Sequence, residues 1–412
     1  MFTLNTNQQF VVDRAVDWYY NSPSQVFEYD GCAGAGKSVV LNEIVKRLGL
    51  NPLTEIAPMS FIGSASLVMR MKGLVSAKTA HSWIFDVRPV PLVDKYGDIV
   101  MDELLNKPIM IPKFIPVDTL PKNIKLIMID EAYSMPLKLR PTIEKFGIKI
   151  IACGDQNQLP PVNDYPAFLT DPKKTYHLTE CMRQTGRDDI HFIANRVGSG
   201  LPVGNGYYGN SLVIDRSELK DEMLLWADTI ICGTNKTRDA LNNRIRKLKG
   251  YNSTLPQYGE KVVCRNNNWL EDVQLDNGYK INLCNGLIGK VVSSPDVSSF
   301  DGKLFSMSFS PDLMPQAVFK ESRCNYAHMV SDNNARMQIR RNKWELGNKF
   351  EFAYAITAHI AQGSQFHRVI YIEENMPPQI QNAVNLVGAS RADTALIYVK
   401  MSKSNFGNIL YF

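Results

Sequence analysis

Val26-Phe27-Glu28-Tyr29-Asp30-Gly31-Cys32-Ala33-Gly34-Ala35-Gly36-Lys37-Ser38 is the stretch of sequence that decides the fold of this chain. The run before Gly31 has the apolar character of a buried strand, and the residues from Lys37 to Leu48 have the pattern of a helix. Between them the residues satisfy the GxxxxGK[ST] pattern in the strand, loop and helix order that this pattern requires. The stretch therefore predicts an α/β fold built around a phosphate-binding loop.

Each residue type in this loop suits one contact with a nucleoside triphosphate. Gly31, Gly34 and Gly36 let backbone N–H groups close around a β-phosphate at the N-terminus of a helix. The Lys37 side chain reaches the β- and γ-phosphates, and the Ser38 hydroxyl is a ligand for Mg²⁺. The loop therefore predicts a nucleotide and Mg²⁺ as cofactors.

Two further strands end in polar residues that suit phosphate hydrolysis. The apolar run 125–129 ends in Asp130-Glu131, where Asp130 would hold Mg²⁺ through water and Glu131 would polarise the attacking water. An acidic pair after a strand also fits the N-terminus of a helix, but the loop before it favours the catalytic interpretation. The run 149–153 is followed by a loop in which Gln158 stands where a γ-phosphate could be sensed.

The rest of the chain continues the alternation of strands and helices, with two interruptions. Ile- and Val-rich runs at 229–232, 368–372 and 395–399 predict more buried parallel strands, which makes two α/β layers. Residues 256–349 are rich in Gly, Asn and Ser and predict a β-rich insertion. Residues 87–119 contain five prolines and the turn-like Asp94-Lys95-Tyr96-Gly97, which predicts a protruding hairpin.

Composition excludes several classes of protein. With 412 residues, 44% hydrophobic and 21% charged, the chain is too long for one small module and too apolar for a disordered one. A net charge of +5 permits a polyanionic partner without requiring one. Seven cysteines without a CxxC pair favour a reducing compartment. No apolar run reaches the length of a membrane span, so we expect a cytoplasmic protein.

The motifs together resemble those of superfamily 1 DNA helicases of the RecD and Dda type, the 5′-to-3′ branch, over nearly the whole chain. The blocks occur in the family's order: Leu4 with Gln8 for the Q motif, 31–38 for motif I, Ala57-Pro58 with 63–67 for Ia, 79–82 for Ib, Asp130-Glu131 for II, 154–162 for III, 178–184 for IV, 234–238 with Asn242 and Arg246 for the next motif, 354–364 for V and 387–392 for VI.

The resemblance implies a specific architecture. It consists of two RecA-like P-loop motor domains with ATP in the cleft between them, a small pin hairpin in the first that splits the duplex, and an SH3-like β-barrel insertion in the second. The boundaries we expect are 1–185 for the first motor domain with the pin at 87–119, 186–255 and 350–412 for the second, and 256–349 for the barrel.

The resemblance also implies roles for residues at the ATP and DNA sites. Gln8 would recognise adenine, Gln362 and Gly363 would contact the nucleotide, and Arg183 and Arg391 would neutralise charge near the γ-phosphate. The residues expected on single-stranded DNA are Pro58, Gly63, Thr79, His81, Asn235, Thr357 and His359.

Two positions depart from the family, and two basic stretches extend the candidate DNA track. The lysines usual in motifs Ia and V are replaced by Ser64 and Ile360, which removes two cations from the expected strand contact. Residues 235–249 and 336–349 are rich in Lys and Arg, and each of these residues suits a phosphate contact or a solvated helix face equally well. Candidate aromatic residues for base stacking are Trp83, Tyr96, Trp344 and Tyr354.

The sequence thus predicts an ATP- and Mg²⁺-dependent helicase that moves 5′ to 3′ on single-stranded DNA and unwinds duplex DNA, in replication, recombination or repair. Single-stranded and forked DNA are the expected partners, with replication or recombination proteins, and we expect a monomer in a bacterial or phage-infected cell. One alternative is a translocase that strips proteins or acts on RNA without processive unwinding. Another is a non-catalytic, ATP-gated recruitment factor, which would not need the complete set of hydrolytic residues.

Overall fold

The computed structural model describes residues 4–32, 34–102, 106–179, 188–275, 278, 280–297, 303–341 and 346–401. Within these residues the chain forms two compact units. The first unit contains the residues up to Ile84, then Asp118–Thr234, and the residues from Ile356 onward. The second contains Phe85–Val117 and Asn235–Ala355. Each unit is therefore assembled from segments that lie far apart in the sequence.

The first half of the first unit alternates strands with helices, as the sequence predicts. Its elements in chain order are α1 (Thr6–Asn21), β1 (Val26–Gly31), α2 (Lys37–Arg47), β2 (Ile56–Ser60), α3 (Gly63–Met71), β3 (Lys78–Thr79) and α4 (Ala80–Ile84). The chain then contributes β4 (Phe85–Pro91), β5 (Met101–Asp102), β6 (Lys107–Pro108) and β7 (Met110–Pro116) to the second unit, and returns with β8 (Leu126–Asp130), α5 (Arg140–Glu144), β9 (Lys149–Gly154), β10 (Thr175–Leu178) and α6 (Asp188–Gly198).

Six of these strands form a fully parallel sheet in the order β10-β1-β9-β8-β2-β3. Strands buried on both faces need apolar side chains at every position, which explains the continuous runs in β2 and β8. Because parallel strands end at the same edge, the loops after β1, β8 and β9 come together there. One-turn 3₁₀ helices follow β8 at Ala132–Ser134 and Leu137–Leu139.

A hydrophobic core joins the first sheet to α1 and α2. Amphipathic spacing places the apolar side chains of both helices on the face that packs against the strands. Its fully buried members are Val11, Val12, Ala15, Tyr29, Ala35, Val40, Leu41, Ile44, Ile56, Ala77, Leu126, Met128, Ile151 and Cys153. This packing fixes the loop from Gly31 to Gly36 at both of its ends.

A second six-stranded sheet completes the first unit. Its elements are β11 (Gly206–Tyr208), β12 (Ser211–Asp215), a 3₁₀ turn (Arg216–Glu218), α7 (Asp221–Trp226), β13 (Thr229–Cys232), and, after the second unit, β21 (Ala355–Thr357), α11 (Ala358–Ala361), β22 (Phe366–Ile372), α12 (Pro378–Ser390) and β23 (Ala392–Lys400). The strand order is β11-β12-β23-β22-β13-β21, and β12, β23, β22 and β13 run parallel. The buried strands predicted in both sheets are thereby confirmed.

The second unit consists mainly of antiparallel strands. Its further elements are α8 (Asn235–Leu248), β14 (Lys261–Cys264), β15 (Asn268–Gln274), β16 (Lys280–Leu283), β17 (Ile288–Val291), β18 (Leu304–Pro311), β19 (Phe319–Asn325), α9 (Tyr326–Val330), α10 (Asn333–Arg341) and β20 (Phe350–Phe352). Five strands form a sheet in the order β19-β18-β17-β14-β20, and β15 pairs with β16. The described part of the Gly-, Asn- and Ser-rich region thus consists mainly of β strands, with two short helices, α9 and α10, near its end.

A hairpin formed by β4 and β7 belongs to the second unit. Its strands pair from Phe85 opposite Pro116 to Pro91 opposite Met110. Beyond Pro91 a Val93–Ile99 bridge leads to a turn in which the Asp94 carboxylate accepts hydrogen bonds from the backbone N–H groups of Tyr96 and Asp98, at 2.8 and 2.9 Å. The Phe114 ring on β7 packs edge-on against Trp269 on β15, with centroids 5.8 Å apart. Among the described residues, no helix is both long enough and apolar enough to cross a membrane.

Candidate nucleotide-binding and catalytic site

The phosphate-binding loop joins β1 to α2 and holds its own lysine. The Lys37 ammonium donates to the carbonyl oxygens of Gly31 at 2.7 Å and Cys32 at 3.1 Å. Gly36 begins α2 with a φ of 84°, a left-handed conformation that favours glycine. A Cβ at that position would also collide with the Gln8 side-chain amide. The loop therefore requires glycine here both for its backbone and for its neighbour.

Gln8 supports the loop from the first turn of α1. Its backbone N–H donates to the Asn5 carboxamide at 2.7 Å while its own Oε1 accepts from the Asn5 N–H at 3.2 Å, which is a capping box. Its Nε2 donates to the Ala35 carbonyl at 2.9 Å, and the side chain is buried. These contacts tie the first helix to the loop, and the role of Gln8 in adenine recognition stays a prediction.

Asp130 and Glu131 lie at the end of β8, beside the loop. Asp130 Oδ1 accepts hydrogen bonds from the Glu131 N–H at 2.9 Å and from the Cys153 thiol at 3.4 Å. Glu131 has a φ of 53°, an uncommon left-handed conformation for a residue with a side chain. Such strain persists only where the surroundings fix it, and it is frequent at functional sites.

The charges of three other predicted residues affect the pKa of the Glu131 carboxyl group. Burial is the main cause that raises the pKa of its carboxyl group, and the Asp130 charge raises it further. Lys37 and Arg391 act in the opposite direction and lower the pKa of the same group. A carboxyl group with a raised pKa accepts a proton more readily at neutral pH. Glu131 is thus suited to take a proton from water.

The oxygen atoms of Ser38 and Asp130 fit Mg²⁺. This ion prefers oxygen ligands and usually keeps several waters while binding one or two carboxylates and the phosphates of its substrate. The Ser38 hydroxyl already accepts a hydrogen bond from the cationic Lys72 side chain at 3.2 Å. Both hydrogen bonds that Asp130 accepts within the described chain end on Oδ1. A hydroxyl and one carboxylate are the donor set that such a site needs.

Gln158 lies in the loop after β9, anchored by Asp155. The buried Asp155 carboxylate accepts from the Asn157 N–H at 3.0 Å and from Gln158 Nε2 at 3.3 Å. Gln158 Oε1 is buried and has no hydrogen-bond partner among the residues that the structure describes. Since a buried oxygen without a partner is costly, Gln158 Oε1 suits contact with a water or a ligand. Gly154 allows this loop to approach the backbone of Ala132 closely.

Arg391 follows α12 and is buried. Its guanidinium donates to the carbonyl oxygen of Val387 at 3.2 Å and to the Ser390 hydroxyl at 3.0 Å. These contacts fix the position of the cation, and its charge lowers the pKa of Glu131. Arg183 lies outside the described residues, so its expected role stays a prediction.

The predicted motif V residues reach the first sheet. Gln362, which follows α11, donates through Nε2 to the Leu159 carbonyl oxygen at 3.3 Å. Gly363 has a φ of 78°, and a Cβ there would come within 3.2 Å of the Ala65 side chain on α3. The two sheets of the first unit therefore meet at the residues that the sequence assigns to motifs Ia, III and V.

The expected DNA-contacting residues of the first sheet differ in accessibility. The Thr79 hydroxyl accepts from the Ser82 N–H at 3.3 Å and so caps α4. His81 is half-buried, and burial lowers the pKa of its imidazole, which favours the neutral form. Pro58 is buried in β2, where its carbonyl accepts from the Trp83 indole at 2.9 Å. Gly63 is buried at the start of α3.

The remaining residues that we expect to contact DNA also differ in their exposure to solvent. His359 on α11 is exposed, whereas Thr357 immediately before that helix is buried. Asn235 begins α8 in the second unit, and its side chain accepts from Arg238 at 2.9 Å. The two positions that lack the family's lysines, Ser64 and Ile360, are both buried. These two positions therefore present no cation at the surface.

Three arginines proposed as phosphate contacts have a structural role in the second unit. Arg238 is fully buried and pairs with Glu351 at 2.7 Å, and Arg246 is buried against Glu260 at 2.8 Å. Arg336 is also buried and pairs with Asp239 at 3.1 Å. A buried charge requires such a partner, and these carboxylates are distant in sequence. The phosphate role stays a prediction for the exposed cations of this stretch, which are Lys236 and Lys247 on α8 and Lys249 directly after it.

Among the candidate stacking residues, Tyr96 is the most accessible. It is 77% exposed at the hairpin turn. Trp83 is held by its indole hydrogen bond to Pro58 and by the Lys78 ammonium 5.0 Å from its ring. The Tyr354 hydroxyl contacts Glu260 at 3.3 Å. Trp344 lies outside the described residues.

Sequence reasoning missed the Cys153 thiol, which contacts Asp130. Burial raises the pKa of this thiol well above its ordinary value. Cys153 is an apolar strand residue by its pattern, and only the pairing of β9 with β8 brings it next to the carboxylate. No motif marks the position.

Two of three comparisons with known proteins give matches. Residues 3–200 match the family model of an AAA domain. A search of curated proteins gives no match. Among solved structures, the chain is similar to a Pif1 helicase whose structure concerns DNA unwinding at forked double-stranded DNA by two coordinating Pif1 helicases. The identity is 17% and the TM-score 0.54, over 96% of this chain and 92% of that chain.

Two other Pif1 helicase structures give a similar result. That of the Candida albicans protein has 17% identity and a TM-score of 0.52, over 98% of this chain and 96% of that chain. That of a Bacteroides protein in complex with ADP-AlF3 and single-stranded DNA has 16% identity and a TM-score of 0.51, over 97% and 92%. Residues 3–200 therefore resemble an AAA domain, and the likeness to the Pif1 helicase structures shows that the chain shares their fold.

Proposed function

We propose that this chain is an ATP- and Mg²⁺-dependent DNA helicase that moves 5′ to 3′ on single-stranded DNA and unwinds duplex DNA. One observation carries the proposal. The phosphate loop with Lys37 and the Asp130-Glu131 pair lie on the first sheet, and the buried Arg391 follows α12 of the second sheet. The hydrogen bond from Gln362 to the Leu159 carbonyl oxygen, at 3.3 Å, joins the two sheets, and the charge of Arg391 lowers the pKa of Glu131. A nucleoside triphosphatase that converts hydrolysis into motion needs a site whose residues come from two domains.

The chemistry follows from the roles of these side chains. Mg²⁺, held by Ser38 and Asp130, would neutralise charge on the β- and γ-phosphates. Glu131 accepts a proton from the attacking water, and burial favours this because it raises the pKa of the carboxyl group. Lys37 and Arg391 offset the negative charge that spreads over the transferred phosphoryl group, together with Arg183. Gln158 orients the water or contacts the γ-phosphate.

Motion would arise from the link between motifs III and V. The hydrogen bond from Gln362 to Leu159 connects two segments of the first unit. Leu159 lies in the loop that contains Gln158, the candidate γ-phosphate sensor, and Gln362 follows the helix that carries His359. Binding or hydrolysis of the nucleotide would alter this contact. The two motor domains would then alternate in binding the DNA strand tightly. Thr79, His81, Thr357 and His359 are the residues that we assign to the strand.

The second unit supports strand separation. We assign the β4–β7 hairpin as the pin and residues 256–349 as the SH3-like barrel, with motor domains at 1–185 and at 186–255 with 350–412. The packing of Phe114 against Trp269 supports a rigid hairpin, since its base is fixed to the antiparallel strands. Exposed Tyr96 at the turn suits contact with an opening base pair. Solved relatives concern forked and single-stranded DNA.

We propose that the chain acts in replication, recombination or repair, in the cytoplasm of a bacterial or phage-infected cell. In that setting the chain would act as a monomer beside other replication or recombination proteins.

Hydrolysis and unwinding assays test the proposal. The first experiment measures ATP hydrolysis alone, with single-stranded DNA and with single-stranded RNA of the same sequence. We expect strong stimulation by DNA only, and equal stimulation by RNA would favour an RNA-acting enzyme. The second compares duplexes with a 5′ or a 3′ single-stranded tail. Unwinding from the 3′ tail would overturn the polarity, and hydrolysis without unwinding of either duplex would favour a translocase.

A further inference from the structure

Tyr29, Cys153 and Asp130 lie side by side near the carboxyl ends of the neighbouring strands β1, β9 and β8 of the first sheet. Tyr29 on β1 is the register partner of Cys153 on β9. Ile129 on β8 is the partner of Ala152 on β9, so Asp130 comes next to Cys153 one step further along. Residues that are in register on adjacent strands point to the same face of a sheet. The row therefore runs from the strand before the phosphate loop to the predicted Mg²⁺ carboxylate.

Hydrogen bonds connect this row to both halves of the nucleotide site. The Cys153 thiol donates to Asp130 Oδ1 at 3.4 Å. The Tyr29 hydroxyl donates to the Lys37 carbonyl oxygen at 3.0 Å, in the first turn of α2. Tyr29 and Cys153 have no solvent-exposed surface, and their side chains interact with each other. A buried chain of contacts thus runs from Lys37 to Asp130.

We propose that Cys153, supported by Tyr29, is a positioning residue that fixes the Asp130 carboxylate for the divalent cation of the nucleotide site. The inference rests on the proposed function, because it assigns to Asp130 the role of Mg²⁺ ligand. The thiol donates to Oδ1, and the Glu131 N–H donates to the same atom at 2.9 Å. Two donors on one oxygen define the rotation of the carboxylate and leave Oδ2 to face the cation or its water shell.

A thiol is well suited to this position. Groups that hydrogen-bond to a metal ligand set its orientation, and their loss typically weakens metal binding by about 10- to 100-fold. Because S–H is a weak donor, it orients Asp130 without withdrawing much of the negative charge that attracts the cation. The surrounding strand is apolar, and a thiol is compatible with that packing. We therefore expect an effect of Cys153 near the lower end of that range.

The test compares three single variants of the full chain. Cys153→Val removes the donor and nearly keeps the volume, whereas Cys153→Ser keeps a donor at the same position. Cys264→Val is the matched control, because Cys264 is an equally buried strand thiol in the second unit that donates to the Asn266 carbonyl at 3.2 Å. Thermal unfolding of each variant checks that the fold is retained.

Electron paramagnetic resonance of free Mn²⁺, in the presence of ADP, measures cation binding without any catalytic turnover. A fluorescent ADP measures nucleotide affinity in EDTA. We expect Cys153→Val to weaken Mn²⁺ binding about 10-fold while nucleotide affinity in EDTA stays unchanged. Cys153→Ser should remain within about threefold of wild type, and Cys264→Val should match it. In hydrolysis assays, the Mg²⁺ concentration for half-maximal rate should rise with little change in kcat.

The outcomes separate this inference from the proposed function. Unchanged Mn²⁺ binding in Cys153→Val would overturn the positioning role while leaving the ATP site intact. Equal weakening in Cys153→Ser and Cys153→Val would also overturn it, because packing rather than hydrogen bonding would then be responsible. If wild type itself shows no Mn²⁺-dependent ADP binding, the proposed function fails first.

Discussion

The side-chain amide of Gln362 donates a hydrogen bond to the carbonyl oxygen of Leu159 across 3.3 Å, and both residues are buried. Gln362 follows the short helix α11 on the second sheet, and Leu159 lies one residue after Gln158 in the loop of the first sheet. This contact is therefore a direct polar connection between the two candidate motor domains. The hydrogen bond therefore ends on a residue adjacent to the predicted site of phosphate sensing.

Replacement of Gln362 by Ala should uncouple DNA binding from hydrolysis. The variant loses the donor to Leu159, and we expect DNA-stimulated ATP hydrolysis to fall about 10-fold, as the loss of a buried hydrogen bond worth about 1.5 kcal/mol implies. Hydrolysis without DNA should change less. Gln365→Ala is the control, since Gln365 is an exposed glutamine three positions further on. An equal loss of basal and stimulated rates would argue against a coupling role.

Lys37→Ala and Glu131→Gln should fail at different steps. We expect Lys37 to contact phosphate, so Lys37→Ala should lose ATP binding and hydrolysis but retain single-stranded DNA binding. Glu131→Gln removes the proton acceptor but leaves the phosphate loop intact, so it should bind ATP normally and hydrolyse it more than about 100-fold more slowly. Equilibrium binding of a fluorescent ATP analogue and a single-turnover assay distinguish the two. Loss of nucleotide binding in Glu131→Gln would make that residue structural.

Arg391→Ala should lower kcat with only a modest change in the KM for ATP. An arginine that acts on charge developing in the transition state contributes little to ground-state binding. Arginine residues at such positions are worth about 10³- to 10⁵-fold in rate. The measurement is steady-state hydrolysis with saturating single-stranded DNA. A higher KM with an unchanged kcat would reassign Arg391 to nucleotide binding. Arg196→Ala on α6 is the control, since Arg196 is a half-buried arginine that donates to the Pro202 carbonyl oxygen at 3.0 Å.

The local part of the site could be predicted from the sequence, whereas the long-range part could not. The loop from Gly31 to Ser38 is encoded by neighbouring residues, and its strand and helix form as predicted. The pairing of Arg238 with Glu351 depends on how β20 returns beside α8, which no local pattern reveals. The contact between Cys153 and Asp130 likewise depends on strand register. Basic residues could therefore be counted from the sequence, but not sorted into buried and exposed ones.

Glu351→Gln should destabilise the second unit at neutral pH. The buried Glu351 carboxylate lies 2.7 Å from Arg238 and 3.2 Å from Arg265. Burial alone would raise its pKa, but the charge of Arg265, the hydrogen bond of His328 and the charge of Arg238 lower the pKa of Glu351 overall. Removing the charge takes the Glu351 carboxylate away from Arg265 and leaves Arg238 with Asp239 as a carboxylate partner at 2.8 Å. Breaking a buried ion pair by removing one partner costs about 3–5 kcal/mol. Urea denaturation at pH 7 measures the loss.

The pH dependence of that loss has a definite sign. Because the folded pKa of Glu351 is depressed, its contribution is present above the unfolded pKa of about 4.3 and is lost as the pH falls through the folded value. The difference in unfolding free energy between wild type and Glu351→Gln should therefore be constant from pH 7 to about 5 and shrink at lower pH. Glu222→Gln, at an exposed position on α7, should show no such difference. A difference that grows toward acid pH would contradict the assignment.

A substitution in the hairpin turn tests whether unwinding can be lost while ATP hydrolysis is retained. Replacing both Lys95 and Tyr96 by Gly removes the exposed ring and its neighbouring cation, whose ammonium lies 4.7 Å from the ring centroid. The hydrogen bonds that Asp94 accepts come from backbone N–H groups, so the turn can persist. Leu92 is kept because it is buried and hydrogen-bonded to Ile109 at 2.7 Å. We expect normal DNA-stimulated hydrolysis and loss of most strand separation.

A fluorescence unwinding assay on a duplex with a 5′ tail, beside an ATPase assay with single-stranded DNA, measures the two activities of this hairpin variant. Tyr207→Ala is the control, because Tyr207 is a comparably exposed aromatic residue, 82% accessible, on β11 of the first unit. Stacking of a base on an aromatic ring is worth about 1–3 kcal/mol, so the loss of Tyr96 alone predicts a reduction in unwinding rate of about 5- to 150-fold. Unwinding at the wild-type rate would mean that another element, most plainly the strands of residues 256–349, separates the duplex. A parallel fall in hydrolysis would instead show that the hairpin contributes to the strand grip.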